Sequence, residues 1–317
     1  MELVRVTEVA ALAAGRYMGR GDKVAADRAA VEAMRMMLNT VQMDGCVVIG
    51  EGEKDQAPML YHDERVGTSD PPEVDLAVDP IDGTRPLSMG NLNSIATAAI
   101  APRGTMLYPG PFVYMNKLAV GAEAKGKVDL DAPVRENLAR VAQAKGHSVD
   151  DLTVIILDRP RHAELIAEVR RCGARIRLIP DGDVAAALMT AWPDSGIDVL
   201  LGIGGTPEGV LSACALRAMG GEIQGRLYAR DDEELRRGRE MGYDFRKTLT
   251  MDDLVSCDDV FFAATGITDG ELLRGVKYFG GGASTDSLVV RGLTGTVRQV
   301  WATHQLDKLR DLSRVAY

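Results

Sequence analysis

The chain has 317 residues, with 46 acidic side chains against 37 basic ones and a formal net charge of −9. That balance disfavours nucleic acid and anionic membranes as partners, because the summed field repels phosphate unless local cations reverse it. At roughly 150 residues per domain the length suggests two domains, and 46% hydrophobic with 26% charged residues is ordinary globular composition. Cys46, Cys172, Cys214 and Cys257 are scattered and form no C-x-x-C pair, which argues against a thiolate metal site and for a reducing compartment. The longest apolar stretch, 95–102, is too short for a bilayer core that needs about 20 residues. Glu2 and Glu8 break the charge logic of a signal peptide, so a cytoplasmic chain is expected.

In chain order, apolar spacing predicts a helix over 7–18, ended by Gly19 and Gly21, and another over 22–39 carrying Val31, Met34 and Leu38. Short apolar runs at 46–49, 74–78, 94–100 and 113–120 read as strands between Gly/Pro/Asp loops. A charged helical stretch, 129–146, links the two halves, 1–150 and 151–317. Strands at 153–157, 176–179 and 199–203 then alternate with helices at 162–172, 184–192 and 208–219. That rhythm predicts a largely parallel sheet, with ligands beyond the carboxyl ends of its strands. It singles out Asp158-Arg-Pro-Arg161, Asp181-Gly-Asp183 and Gly204-Gly-Thr-Pro-Glu208. A very polar segment, 230–246, precedes strand-like runs at 260–264, 287–290 and 296–302.

Carboxylates stand where a core is expected. Asp27 precedes Val31, Met34 and Leu38 at helical spacing and so shares their apolar face. Glu51 and Glu53 follow the strand CVVIG, and Asp75, Asp79 and Asp82 surround the end of VDLAV. A buried carboxylate is expensive unless it is paired, protonated or bound to metal. Oxygen ligands suit hard divalent ions, so Mg²⁺ or Mn²⁺ is expected rather than zinc or haem. In Asp79-Pro-Ile-Asp82-Gly-Thr84, Pro80 turns the chain, Gly83 permits close backbone approach, and Thr84 adds a hydroxyl able to orient water.

This last string resembles the signature of the lithium-sensitive, Mg²⁺-dependent sugar and inositol phosphatase superfamily. Further strings agree in order: Gly19-Arg-Gly-Asp-Lys23 with Asp27, Val48-Ile-Gly-Glu-Gly-Glu53 with Asp55, and Pro160-Arg-His162. Pro180-Asp-Gly-Asp-Val-Ala-Ala186, Gly202-Ile-Gly-Gly-Thr-Pro-Glu-Gly209 and Ala264-Thr-Gly-Ile267 complete the series. Together they resemble the class II, GlpX-type fructose-1,6-bisphosphatase family over nearly the whole chain.

The resemblance implies an α/β fold, a layered αβαβα sandwich of two α/β halves, and hydrolysis of D-fructose 1,6-bisphosphate by water. It implies two or more Mg²⁺ or Mn²⁺ ions, with Asp27 and Glu51 on one and Asp79, Asp82 and Glu208 on another. Thr84 and Asp55 would polarise the attacking water, and Asp82, Gly83 and Thr84 would meet the reacting phosphate, with Lys23 nearby. Tyr114, Arg159, Pro160, Arg161, Asp181, Gly182 and Asp183 match substrate positions, the arginines suiting the distal phosphate and the aspartates the sugar hydroxyls. One departure is Asp82, where the class II family usually has Glu and the wider superfamily Asp. The expected partner is a small sugar bisphosphate, with a homo-oligomer, dimer or tetramer, implied by the family. A dual fructose-1,6-/sedoheptulose-1,7-bisphosphatase is the close alternative. An inositol monophosphatase fits less well, because Arg159 and Arg161 anticipate a second phosphate, and a non-catalytic sugar-phosphate sensor fits least.

Overall fold

The computed structural model describes residues 2–52 and 59–313. It opens with helices α1 (Glu2–Gly15) and α2 (Lys23–Leu38), strands β1 (Asp44–Ile49), β2 (Arg65–Val66) and β3 (Glu73–Asp82), helix α3 (Thr84–Met89) and strand β4 (Ile95–Pro102). Next come β5 (Tyr114–Val120), α4 (Val134–Lys145), β6 (Thr153–Leu157), α5 (Ala163–Arg171), β7 (Arg175–Ile179) and α6 (Asp183–Met189). They are followed by β8 (Val199–Gly205), α7 (Thr206–Met219), β9 (Glu222–Leu227), α8 (Asp232–Glu240) and α9 (Met251–Leu254). The last elements are β10 (Phe261–Gly266), β11 (Lys277–Phe279), β12 (Gly282–Arg291), β13 (Thr296–Gln305) and α10 (Leu306–Ser313).

The fold is mixed α/β, in two compact units. Residues up to Met106 and from Cys257 onward form one, and Leu107–Ser256 the other. The division expected at residue 150 falls inside the second unit. Its reason is packing: Leu118, Val120 and Leu138 share one core with Val154, Ile156 and Val199. The strands after 260 return to the first unit, where β10 pairs with β4.

The first unit carries a sheet in the order β11-β12-β10-β4-β3-β1-β2, with β13 added on β12. β1 and β3 run parallel, whereas β3 with β4, β4 with β10 and β10 with β12 are antiparallel. Helix α1 packs on β10, β4 and β12, and α2 on α1, β3 and α3. The expected first helix begins earlier, at Glu2, and ends at Gly15, where a Cβ would meet the Tyr278 hydroxyl at 2.7 Å. Burial on almost every position of α1 explains why its pattern is apolar all round rather than striped.

In the second unit the order is β7-β6-β8-β5-β9. β6 is parallel to both β7 and β8, but β5 is antiparallel to β8 and β9, so the sheet is mixed rather than largely parallel. Leu138 and Val141 of α4 and Ile166 and Val169 of α5 cover one face. α6 and α7 pack on β8, and α7 also on β5 and β9. Val154, Ile155 and Ile156 are all buried, as expected for a strand covered on both faces. Strand β9 was not anticipated: its alternating burial is spread over only six residues, EIQGRL, with a glycine inside.

Candidate active site

Parallel strands present their carboxyl ends at one edge, and in the first unit this edge gathers acidic residues. The register pairs Ile49 of β1 with Ala77 of β3, and Glu51 and Asp79 each lie two residues further on. Between Asp79 and Asp82 the pairing of β3 with β4 shifts register, so the strand bulges where the chain turns through Pro80. The Asp79 carboxylate accepts the Ile81 N–H at 3.0 Å, which ties the bulge to its own backbone. Gly83 then adopts a left-handed conformation (φ 96°) that favours glycine, and it starts α3. The Ser94 hydroxyl donates to the Gly83 carbonyl at 2.8 Å, and the Thr84 hydroxyl donates to the Ile81 carbonyl at 3.3 Å.

Helix α2 reaches the same region because the turn before it is bound to α3. Gly19 N–H donates to the Leu87 carbonyl and Gly21 N–H to that of Ser88, each at 2.9 Å. Asp22 caps α2 by accepting the Ala25 N–H at 2.9 Å. Lys23, in the first turn, is exposed, and Asp27, one turn on, is half-buried. Among the described residues no hydrogen bond or ion pair reaches the Asp27 carboxylate, and burial raises its pKa above the ordinary value.

Asp75, four residues before Asp79 on β3, is a different kind of carboxylate. It accepts the N–H groups of Thr105 (2.8 Å) and Met106 (3.0 Å) and lies 3.6 Å from Arg103. It is fully served by the protein and belongs to the fold. Asp55 and Glu53 lie outside the described residues.

The second unit builds its edge the same way. The carboxyl ends of β6, β7 and β8 carry Arg159 and Arg161, Asp181 and Asp183, and Glu208. Antiparallel β5 begins at the same edge, its Tyr114 opposite Gly205. Arg159 lies 3.7 Å from Asp181. Arg161 donates Nε and Nη2 to the Ile203 carbonyl (3.2 and 2.7 Å), with its guanidinium 5.2 Å from the Tyr114 ring centroid. His162 is buried with both ring nitrogens used: Nδ1 donates to the Leu157 carbonyl at 2.7 Å, and Nε2 accepts the Ile203 N–H at 2.8 Å. Burial accordingly lowers its pKa, keeping the ring neutral.

Three charged groups meet at the start of α7. Lys117, only 2% exposed, donates to Asp183 at 2.5 Å and to the Gly205 carbonyl at 2.9 Å. Glu208 folds back over Gly205, and its Oε2 is buried with no hydrogen-bond partner. Burial, then the Asp183 charge, pushes its carboxyl up to about 7 against the opposing pull of Lys117.

Of the expected residues, Glu51, Asp79 and Asp82 lie at the carboxyl ends of β1 and β3 at one edge of the first unit, and Tyr114, Arg159, Arg161, Asp181, Asp183 and Glu208 lie at one edge of the second. Among the described residues, however, no three His, Cys, Asp or Glu side chains stand close enough to hold a metal ion. What does fit a divalent ion is the donor chemistry: oxygen-only groups, an Asp27 without a counter-charge and an orphaned, buried Glu208 oxygen. Asp183, expected against sugar hydroxyls, has one oxygen committed to Lys117. Lys117 escaped the sequence reading, although a lone cation inside the apolar strand YMNKLAV was a usable signal.

Over residues 1–304 the chain matches the family model described as bacterial fructose-1,6-bisphosphatase, glpX-encoded. It is 49% identical over 321 aligned positions to fructose-1,6-bisphosphatase 1 class 2 of Escherichia coli (strain K12), covering 97% of this chain and 95% of that protein. The class 2 fructose-1,6-bisphosphatases of a second Escherichia coli strain and of Shigella flexneri match with the same identity and coverage. The chain belongs to the bacterial, glpX-encoded fructose-1,6-bisphosphatase family.

Proposed function

We propose that the chain hydrolyses D-fructose 1,6-bisphosphate to fructose 6-phosphate and phosphate, with a divalent cation and water as the attacking group. The observation that carries this reading is the family match over residues 1–304, joined to 49% identity with class 2 relatives across 97% of the chain. Asp27 and Glu51 would hold one Mg²⁺ or Mn²⁺ ion, and Asp79, Asp82 and Glu208 a second. Ions held there supply charge neutralisation at the phosphoryl oxygens and an activated water.

The chain's own residues bind and orient. Thr84, at the first turn of α3, directs a water proton together with Asp55. Asp82, Gly83 and Thr84 meet the reacting phosphate, the last two through backbone N–H groups, with Lys23 close by in sequence to Asp27. Arg159, Pro160, Arg161 and Tyr114 hold the distal phosphate, and Asp181, Gly182 and Asp183 the sugar. A cavity of about 520 Å³ beside Arg161, Asn116, Arg226 and Tyr228 supports ligand binding at this edge. His162 is unsuited to nucleophilic attack because both its nitrogens bond the backbone, so direct transfer to water with inversion at phosphorus is expected. The same reading makes the chain a cytoplasmic gluconeogenic enzyme that works as a dimer or tetramer.

Phosphate release from fructose 1,6-bisphosphate, sedoheptulose 1,7-bisphosphate and inositol 1-phosphate, each with Mg²⁺ or Mn²⁺, tests it. Metal-dependent release from fructose 1,6-bisphosphate is expected. Its absence overturns the reading, and equal release from the seven-carbon sugar makes the enzyme dual.

A further inference from the structure

We propose that Lys117 is a positioning residue for this phosphatase: it holds the turn that carries Glu208. The inference rests on the function proposed above. A lysine at 2% exposure is costly in a sheet core unless its charge is fully answered. A leucine or methionine would fill the same space without that cost, so the charge itself needs a reason.

Its contacts supply one. Lys117 lies on β5, and its register partners on the flanking strands are Gly202 of β8 and Gly225 of β9. The ammonium bonds the carbonyl of Gly205, the last residue of β8 and the N-cap of α7. A Cβ on Gly209, one turn into α7, would lie 3.4 Å from Lys117 Cδ, so the stem runs beside that turn. Lys117 thus bonds the chain just before Glu208, and its stem passes beside the turn just after it. The glycines complete the cluster: a Cβ on Gly204 would fall 1.8 Å from Asp183 Oδ2 and 2.9 Å from Lys117 Nζ. A Cβ on Gly205 would fall 1.6 Å from Glu208 Oε2. Neutralising Asp183 alone would not require the bond to the Gly205 carbonyl. Fixing the Glu208 turn does, and small misplacements near the reacting atoms cost large factors in rate.

The test compares Lys117→Met and Lys117→Arg with the wild-type protein. Tm, kcat and KM for fructose 1,6-bisphosphate are measured, together with Mn²⁺ binding followed by electron paramagnetic resonance. We expect Lys117→Met to lower kcat about 100-fold with a KM changed by less than about threefold. Mn²⁺ affinity should fall about tenfold, as for groups that support a metal ligand, and Lys117→Arg should recover part of both losses. The proposal is overturned by a kcat for Lys117→Met within about threefold of wild type. Unchanged Mn²⁺ affinity overturns it too, as does a loss of activity that only tracks the folded fraction. Should Lys117→Met not fold, Lys117→Arg carries the test: Mn²⁺ affinity and kcat between those of wild type and about 100-fold loss support the proposal, and a fully wild-type KM, kcat and affinity overturn it. If the wild-type protein releases no phosphate, the function proposed above fails, while the Mn²⁺ arm still decides the role of Lys117.

Discussion

In the first unit Asp27 sits half-buried on α2, and no cation among the described residues accompanies it. In the second unit Asp183 is buried more deeply, yet Lys117 neutralises it at 2.5 Å. Asp198 is likewise paired with Lys145 at 2.6 Å, and Asp181 faces Arg159. The first unit has its own paired example in Asp75, and the second its own exception in Glu208. Carboxylates of both units therefore divide into those that a basic side chain of the protein meets and those, Asp27 and one oxygen of Glu208, that no hydrogen bond or ion pair among the described residues answers.

Substitutions can break that division. Asp27→Asn should lower phosphate release about 100-fold or more and raise the Mn²⁺ requirement. In the metal-free protein it should leave Tm unchanged or raise it, because it removes a charge that burial disfavours. A lower metal-free Tm would place Asp27 with the structural carboxylates. Thr84→Ala should cut kcat about 100-fold with little change in KM, the size expected of a positioned proton-transfer group, and unchanged turnover would remove it from the mechanism.

Asp75→Asn should behave in the opposite way. It leaves one acceptor oxygen for the two backbone N–H donors but puts an NH2 donor and no charge beside Arg103, costing about 1–3 kcal/mol in denaturant unfolding. Metal dependence and KM should stay as in wild type.

The smallest effect is one of pH. Glu8 is 7% exposed on α1, reached by the Thr285 hydroxyl at 3.5 Å, with His304 on the other side of Thr285 at 2.8 Å and Arg5 one turn away. Burial, offset partly by Thr285 and Arg5, raises its pKa from the ordinary 4.5 to about 7. The folded state then binds more protons than the unfolded chain across that window, so this group's contribution to stability falls as pH rises from about 4.5 to about 7. Glu8→Gln should flatten that fall in Tm. An unchanged slope would assign the pH dependence to other groups.

The candidate residues at the strand ends were legible because chemistry and position coincide in short strings. Asp79-Pro-Ile-Asp82-Gly-Thr84 combines carboxylates with a residue that fixes φ and one that tolerates positive φ, and the structure uses each in its bulge and left-handed turn. The strand–helix alternation after 152 likewise led to Arg159, Asp181 and Glu208 at one edge. How Asp75 is answered was not legible, since its partners Thr105 and Met106 are remote in sequence and act through backbone N–H groups. Lys117 was missed for a similar reason: its partners lie on α6 and at the end of β8.

Local pattern, then, decided most of the element types, the acidic strand ends and the family, because these depend on residues near one another along the chain. Tertiary structure alone decided where the compact units divide, since β10 and β12 return across the intervening 107–256 to complete the first sheet. It also decided what the acidic excess means. The count of 46 acidic against 37 basic side chains says nothing about which carboxylates meet a cation. Only long-range packing separates Asp75 and Asp183, each met by a basic side chain, from Asp27 and the buried Glu208 oxygen, because Coulombic and desolvation energies depend on distance in space.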